Sequence, residues 1–468
     1  MKIKPPTVGP IVGSTTSKET RIFLRGDVQL VDDQPRRCFG VLQWRKPGAK
    51  WSKPLLNKLA PHFDGTCVFV IGGLSADQLY EYRAGWFFAD ADLGKLGTIG
   101  DDELEWEVDQ VYSFSTGIDA AAQPRRFAVG SCRYLLRLLG GAVFDDRGDK
   151  AFATISAIHR KDPIHALLMV GDQIYADDLN FFFPDTTLDQ YFKRYRQAFG
   201  QKHVQSLMAS VPTYMILDDH EIEDNWPAQA TDKDRHHLYP NAIHAYQVYQ
   251  CSHSPVFGTV AGCRITGTPD HFWYKFRDGC SDWFVCDTRT ERLVGATPPR
   301  MLSDTQMKEL LGWLSAPNGD RVRFVVTSVP MFPDFESDRS DKWQGFPEQR
   351  EQILDHIRQN TITKVVFVSG DVHCSYVAEL SIPGAPGFKV HSVISSSFFW
   401  PYPHTALADL KFGLPLSGTV NAQYVPKLVT KDVVRDDNFA VLSVRPDGFT
   451  VDFLERKGKK LGHASVKF

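Results

Sequence analysis

Four apolar segments of this chain each end in a cluster of polar residues, and this pattern constrains the fold more than any other feature. Segments with helical character, such as residues 149–161 and 188–200, lie between them. Apolar strands that alternate with helices predict a layered α/β domain. Because ligands bind at the carboxyl ends of strands in such sheets, we expect the polar clusters to meet there. The four segments are FAVGSCRY (127–134), LLMVGDQIYADD (167–178), YMILDDHEIEDNW (214–226) and VVFVSGDVHCS (365–375).

The first part of the chain, residues 1–118, carries only strand signals. Short runs rich in β-branched and aromatic residues, such as TRIFLRGD (20–27) and TCVFVIG (66–72), end in Gly or Asp turns. Residues 73–85, GLSADQLYEYRAG, resemble the end of a fibronectin-type repeat. We therefore predict an N-terminal fibronectin/Ig-like β-sandwich. The small-residue segment 117–126 is the predicted linker, and residues 125–468 form the predicted second domain.

Charge and cysteine content limit the classes of partner and compartment. Lys and Arg total 53 against 56 acidic residues, a formal net charge of −3, which argues against nucleic acid as a partner. The chain shows neither a signal-peptide core nor an apolar run long enough to span a membrane, so we predict a cytoplasmic protein without a membrane span. The eight cysteines lack a CxxC pair and read as mostly reduced thiols. One or two bridges stay open among Cys251, Cys263, Cys280 and Cys286, and the oligomeric state is undetermined.

The third cluster is the most crowded with charge. From Asp218 onward, nine positions hold five acids, one histidine and one asparagine. A bound cation would explain why mutually repelling carboxylates gather at the end of a core strand. Each cluster alone has a structural alternative, because an Asp after Gly commonly caps a helix or closes a turn. Four such clusters together favour a metal centre.

The ordered set GSC, GDQIY, DDHE and SGDVHCS resembles the PhoD-like alkaline phosphatases, a branch of the calcineurin-like metallophosphoesterases. The segments VCDTRTERL (285–293) and DKWQGFPEQREQIL (341–354) are also similar to connecting blocks of that family. The resemblance covers nearly the whole chain. It implies a four-layer metallophosphoesterase core, two mixed β-sheets flanked by helices, with a binuclear or larger metal centre at the sheet edge.

The resemblance also implies ligands for that centre. Asp172 corresponds to the carboxylate that bridges two cations, and Asp219 to a ligand of the second metal. Asp371 and His373 alternate, so both can contact neighbouring cations. The alternatives are a helix cap for Asp172 and a buried structural histidine for His373. Asp218 is expected to cap or brace its loop.

Cys132 and Tyr175 decide which metals we expect. A thiolate and a phenolate together favour a highly charged, redox-capable cation such as Fe(III). The resemblance implies iron here, with Ca²⁺ as companion. The strand near Ser328 lacks the histidine that the superfamily usually supplies, which makes the second site rich in oxygen. Zn²⁺, Mn²⁺ and Mg²⁺ are alternative metals. Cys132 and Tyr175 also have alternative roles without a metal, Cys132 as a small buried side chain and Tyr175 packed beside the strand.

Three further residues have predicted roles in catalysis. His220 is the candidate that contacts the phosphate and protonates the leaving oxygen, the alternative being a partnership with an acid such as Glu221. Arg133 is the candidate phosphate clamp, since a guanidinium fork matches two phosphate oxygens, although a solvated surface arginine fits equally. Asn225 is a candidate oxygen ligand or phosphate contact.

These assignments predict a metal-dependent phosphoester hydrolase of the alkaline phosphatase/phosphodiesterase type, in which a metal-bound hydroxide attacks phosphorus in line. The alternatives are a phospholipase-like or nuclease-type phosphodiesterase and a non-catalytic, metal-stabilised binding protein. The expected substrate is a small-molecule or lipid phosphoester. Two aromatic runs, residues 180–184 and 395–404, read as core or cavity wall, and as a wall they would favour a bulky or apolar ester.

Overall fold

The computed structural model describes residues 1–27, 30–31, 34–35, 37–89, 96, 99–137, 145–178, 184–260 and 263–468. The α-helices within these ranges are α1 (Arg147–Lys161), α2 (Leu188–Phe199), α3 (Lys202–Met208), α4 (Tyr239–Tyr246), α5 (Asp304–Ser315) and α6 (Pro347–Gln359). The strands are β1 (Lys2–Ile3), β2 (Val8–Thr15), β3 (Thr20–Arg25), β4 (Leu30–Val31), β5 (Gln34–Pro35), β6 (Cys38–Arg45), β7 (Leu55–Leu59), β8 (Thr66–Ile71), β9 (Leu79–Phe88), β10 (Glu105–Trp106), β11 (Tyr112–Ser115), β12 (Arg125–Gly130), β13 (Ala166–Val170), β14 (Thr213–Ile216), β15 (Gly258–Val260), β16 (Arg264–Thr266), β17 (Tyr274–Asp278), β18 (Ser281–Val285), β19 (Val322–Val326), β20 (Asp334–Phe335), β21 (Val365–Ser369), β22 (Tyr376–Ile382), β23 (Ala385–Ile394), β24 (Leu410–Lys411), β25 (Val425–Leu428), β26 (Phe439–Arg445), β27 (Gly448–Leu454) and β28 (Lys460–Lys467).

The N-terminal region is rich in β-structure, as predicted. A four-stranded sheet of order β11-β9-β6-β7 and a five-stranded sheet of order β15-β16-β8-β3-β2 share one apolar core, in which Ile22 and Tyr82 are fully buried. The Tyr80 hydroxyl accepts a hydrogen bond from the Ser75 amide at 2.9 Å, which fixes the corner before β9. Strands β15 and β16 come from much later in the chain. The division of the chain at residue 118 therefore stays a prediction.

The second part of the chain is mixed α/β, with two large sheets. One sheet has the order β14-β13-β12-β26-β27-β28, and its first three strands are parallel. The other has the order β17-β18-β19-β21-β23-β22-β25, and the four strands from β18 to β23 are parallel. The remaining pairs in both sheets are antiparallel. Each sheet is therefore mixed, as the resemblance implied.

Side-chain alternation sorts the two faces of the seven-stranded sheet. Trp283 of β18 contacts Phe127 of β12, with ring centroids 4.8 Å apart, so this face packs against the six-stranded sheet. Val366 of β21 belongs to the same core, whereas its neighbour Phe367 packs with Leu310 of α5 and with α6. Because successive strand residues point to opposite faces, one apolar strand serves two cores.

Two further expectations concern the chain as a whole. No helix in the described part of the chain has the length and apolar character that crossing a bilayer requires. All eight cysteines carry free thiols, so none of the bridges left open among Cys251, Cys263, Cys280 and Cys286 is formed.

Candidate metal centre

The predicted polar clusters meet because the strands that carry them end at a shared edge. Parallel strands β12, β13 and β14 are followed by Cys132, Asp172 and Asp219, and β21 of the other sheet is followed by Asp371 and His373. The two sheet edges approach closely. A Cβ on Gly370, just after β21, would lie 2.2 Å from the Ser131 hydroxyl oxygen, so only glycine fits there.

Unusual backbone conformations mark the same loops. Cys132, Asp172, Asp371 and His373 all have left-handed backbones, with φ of 53°, 57°, 66° and 44°. Such conformations cost about 1–3 kcal/mol for residues other than glycine and concentrate at functional sites. They turn consecutive side chains sharply at the ends of the strands, which brings ligand groups from separate loops together.

Asp172 lies between the two unusual ligand candidates. The Cys132 thiol is 3.3 Å from Asp172 Oδ2, and the Tyr175 hydroxyl is 3.5 Å from the same oxygen. All three side chains are buried. Burial raises the pKa of Cys132 to about 12 and also raises the pKa values of Asp172 and Tyr175. Without a cation the thiol and phenol are therefore neutral, and a strongly charged ion is what would ionise them.

The acids form two overlapping groups that could hold cations. Oxygen or nitrogen atoms of Asp172, Asp219 and His220 lie within 4.8 Å of one another, as do oxygens of Asp218, Asp219 and Asp371. Burial raises the pKa of Asp218 to about 7.

Several ligand atoms in these loops are buried and lack partners. Asp172 Oδ1, Asp218 Oδ2 and His373 Nε2 have no hydrogen-bond partner within the described ranges. Leaving a buried acceptor unpaired costs about 1–3 kcal/mol, and more for a charged group. Cations would remove that cost, so the residues fit a centre of two or more ions.

His220 is held by an aspartate from the neighbouring loop. Its Nδ1 lies 2.8 Å from Asp177 Oδ2, which also accepts a hydrogen bond from the Asp224 amide at 2.9 Å. Burial opposes the charged form of His220, but the carboxylates of Asp177, Asp219 and Asp172 together outweigh burial and raise the histidine pKa well above its usual value. The acid that His220 contacts is therefore Asp177 and not Glu221.

Glu221 instead ties the backbones of two ligand loops together. Its carboxylate accepts hydrogen bonds from the amides of Asp172 at 3.1 Å, Gln173 at 2.6 Å and Asp218 at 2.8 Å. The Gln250 side chain donates a fourth at 3.0 Å. Burial raises the pKa of Glu221 to about 7. Glu221 thus fixes the spacing between the Asp172 and Asp218 loops.

Arg289 supplies a buried positive charge beside the acidic residues of the cluster. Its fully buried guanidinium donates to Asp218 Oδ1 and to Asp341, the latter at 2.5 and 3.0 Å, and lies 3.4 Å from Asp219. Burial alone would raise the pKa of Asp219, but the Arg289 charge helps hold it below its usual value. The Ser328 hydroxyl, which stands where a metal-binding histidine was expected, donates to Asp218 Oδ1 at 2.7 Å.

A cavity of about 430 Å³ opens onto these groups. Trp400 and Tyr402 form part of its wall, and Trp400 stacks on His373 with ring centroids 3.7 Å apart. The second aromatic run thus supplies both cavity wall and core, because Phe398 and Phe399 are buried. Residues 180–183 of the first run lie outside the described residues. The lining comprises Asp172, Asp219, His220, Asp224, Asn225, Phe335, Ser337, Asp338, Lys342, Asp371, Val372, His373, Trp400, Tyr402, Thr405 and Asp409.

Comparison with known proteins identifies the family. Residues 127–408 match the family model described as PhoD-like phosphatase. The chain belongs to the PhoD-like phosphatase family. It is similar to "Alkaline phosphatase D" of Bacillus subtilis (strain 168), with 26% identity over 263 residues that cover 47% of this chain and 43% of that protein. The match thus spans less than half the length of that relative. The fold is similar to a solved structure titled "Structure of PhoD", with a TM-score of 0.71 and 16% identity over 99% of this chain and 89% of that one.

This PhoD-like chain does not place Arg133 on the cavity. The Arg133 side chain is fully buried, its Nη2 donates to the Ala198 carbonyl at 2.8 Å, and its guanidinium lies over the Phe152 ring. Burial lowers the Arg133 pKa to about 10. The turn that aims Cys132 at Asp172 sends the next side chain beneath α1 and α2. The predicted phosphate contact of Arg133 is therefore not supported.

The structure adds residues that sequence reasoning missed or underrated. Asp177 was available in the second cluster but was not assigned, and Asp218 offers an unpaired oxygen besides the one that Arg289 braces. Lys342 lines the cavity, a position that the resemblance of residues 341–354 to a connecting block does not predict. The sequence gives no distance between clusters, so the partner of each acid could not be chosen from it.

We expect Arg289→Met to destabilise the PhoD-like fold by about 3–5 kcal/mol, because it leaves Asp218 and Asp341 buried without their main charge partner. Urea unfolding of the metal-free protein measures the loss. Arg300→Met is the matched control, since Arg300 makes an exposed pair with Asp304 that is worth less than about 1 kcal/mol. Equal losses in the two variants would contradict the role of Arg289.

Proposed function

We propose that the chain is a metal-dependent phosphoester hydrolase. The family match and the similarity to alkaline phosphatase D support this function. The observation that carries it is the set of unpartnered, buried acceptors at Asp172, Asp218 and His373, in the loops that form the cavity. Buried acceptors of this kind are what a cation-dependent site for an anionic substrate requires.

Two kinds of ion fit the donors. Cys132, Asp172 and Tyr175 would hold Fe(III), because a thiol and a phenol with pKa values raised by burial ionise only beside a strong charge. Asp219, Asp371 and His373 would hold the companion ion, with Asp218 as an additional oxygen ligand. This set is mainly oxygen, which suits Ca²⁺ or Mg²⁺ better than Zn²⁺ or Mn²⁺. Such ions supply charge that attracts the phosphoryl group and lowers the pKa of a water molecule.

His220 is the proton donor of the proposed reaction. Asp177 contacts the Nδ1 atom of His220 and favours the protonated ring, which leaves Nε2 available to donate a proton to a ligand in the cavity. A protonated imidazole there can deliver a proton to the departing alkoxide oxygen as the bond to phosphorus breaks. Asn225 is held beside Asp219, because its backbone N–H donates to Asp219 Oδ2 at 2.6 Å. Asn225 also lines the cavity.

The cavity wall indicates the kind of leaving group. Phe335, Trp400 and Tyr402 line the cavity beside the acidic loops. Aromatic walls contribute affinity by covering apolar surface of a ligand. We therefore propose an ester whose alcohol is bulky or aromatic, which includes aryl and lipid-like phosphoesters.

Hydrolysis of two chromogenic esters tests the proposal. We expect the metal-loaded protein to cleave p-nitrophenyl phosphate faster than bis(p-nitrophenyl) phosphate, to lose activity on chelation, and to regain it with iron and Ca²⁺. A visible absorption band from thiolate or phenolate bound to ferric iron should accompany the active state. A preference for the diester would favour the phosphodiesterase alternative. A fully loaded protein that cleaves neither ester nor a phospholipid would contradict the proposed function and leave the metal-stabilised binding protein.

A further inference from the structure

Lys342 is the only lysine or arginine among the described residues that line the cavity. Three arginines near the acids do not line the cavity. Arg289 and Arg292 are buried behind the cluster and are paired with Asp341, while Arg133 points into the core beneath the helices. Phosphoesters are anions, and a cation on the wall is the group that a substrate entering this cavity meets.

The Lys342 ammonium retains donor capacity for such an anion. Its Nζ lies 2.7 Å from Asp371 Oδ2 and 3.5 Å from Asp341 Oδ2. An ammonium carries three N–H donors, so these two carboxylates leave one donor for a ligand in the cavity. Asp341 already has two arginine partners, and it does not need the lysine for charge balance.

The backbone around Lys342 holds the ammonium in place. Trp343, the next residue, is fully buried, and the Gly345 amide donates to the Lys342 carbonyl at 2.9 Å in a short 3₁₀ turn. The Asp341 amide donates to the Asp338 carbonyl at 3.1 Å on the other side. The Lys342 side chain is only 9% exposed, so it cannot extend into solvent as a surface lysine does. Such preorganisation lets a charge bind a ligand without a large loss of side-chain freedom.

We propose that Lys342 is the phosphoryl-binding residue of this site, in the role that the sequence suggested for Arg133, and this inference rests on the proposed function. Its ammonium donates to a non-bridging phosphoryl oxygen, while His220 serves the leaving oxygen. Lys342 contacts Asp371, whereas His220 lies close to Asp172 and Asp219. The two cationic side chains are therefore placed beside different acids of the cluster. A monoester dianion has more charge for Lys342 to neutralise than a diester monoanion, so Lys342 favours monoesters.

The test compares Lys342→Met, which keeps length but removes charge, with Lys342→Arg, which keeps charge. We expect Lys342→Met to lower kcat/KM for p-nitrophenyl phosphate, and to weaken inhibition by inorganic phosphate, by about 10- to 100-fold, the range for one hydrogen bond to a charged group. Hydrolysis of bis(p-nitrophenyl) phosphate should fall by a few-fold only, and Lys342→Arg should recover much of the loss. Metal content, measured by elemental analysis, should not fall.

Several outcomes would overturn the inference. Equal losses for both esters with unchanged phosphate inhibition, or a loss of bound metal in Lys342→Met, would show that Lys342 only balances the charge of the acid cluster. If Lys342→Met does not fold, Lys342→Gln must show the same selective loss. If the metal-loaded wild-type protein cleaves neither ester nor a phospholipid, the proposed function fails on its own. Calorimetric binding of inorganic phosphate to wild type and Lys342→Met then decides the role of Lys342.

Discussion

We expect Asp172→Asn to lower kcat/KM by at least about 10³-fold, equivalent to roughly 4 kcal/mol of transition-state stabilisation. Asp172 is the centre of the ligand set, with Cys132 and Tyr175 against one oxygen and the other oxygen unpaired. Elemental analysis of the same protein should show that metal is lost along with activity. The substitution preserves the shape of the side chain and removes the negative charge with which Asp172 would hold a cation.

The same variant should be at least as stable as wild type when both are free of metal. Burial raises the Asp172 pKa, with Cys132 adding to the effect, so the charged carboxylate is unfavourable in the metal-free fold. Thermal unfolding in chelator measures this difference. Asp149→Asn is the matched control, because Asp149 is a buried aspartate that accepts hydrogen bonds from the His203 and Val204 backbone amides and does not line the cavity. An Asp172→Asn protein that keeps both metal and activity would refute the assignment.

We expect His220→Asn to lower kcat by about 10²- to 10⁴-fold, the usual contribution of a positioned general acid. Metal content should be largely retained, and the loss should shrink for esters whose leaving group is a weak base, because such groups need no proton. Rates measured for a series of substituted phenyl phosphates give this dependence. A non-catalytic binding protein would show no such dependence on the leaving group.

His463→Asn serves as the control for that variant. His463 also pairs with an aspartate, since its Nδ1 lies 2.6 Å from Asp452 Oδ1, but it is exposed and on β28. Its replacement should leave kcat unchanged. If His220→Asn also left kcat unchanged, the pairing of His220 with Asp177 would have a structural role only, and His220 would not be the proton donor.

The general architecture could be predicted because it depends on local pattern. Apolar runs such as residues 166–170 and 365–369 are short, continuous and followed by Gly and polar residues, which is typical of buried parallel strands. The same runs place Asp172 and Asp371 at one edge of the sheets. The pairing of β16 with β8, which adds the β15–β16 hairpin to the N-terminal sheet, could not be predicted, because short exposed strands carry little pattern and β8 is distant in sequence.

Within the site, the sequence predicted which residues belong to it better than it predicted which side chains they contact. The ordered motifs pointed to Cys132, Asp172 and Tyr175, and the structure brings these three together. Arg133 was misjudged because one left-handed residue reverses where the next side chain points, and φ at Cys132 is invisible in the sequence. Asp177 and Lys342 gained their roles only from distances between loops.

Strands β15 and β16 have a consequence for how the protein is made. Within the described ranges, the edge of β8 that faces away from β3 pairs with β16, and the Val70 amide donates to the Cys263 carbonyl at 3.2 Å. On the ribosome, β8 therefore emerges long before its neighbour, with hydrogen-bonding groups exposed to other nascent chains. A fragment that stops near residue 118 keeps that edge open permanently, so it should associate or aggregate where the full chain does not.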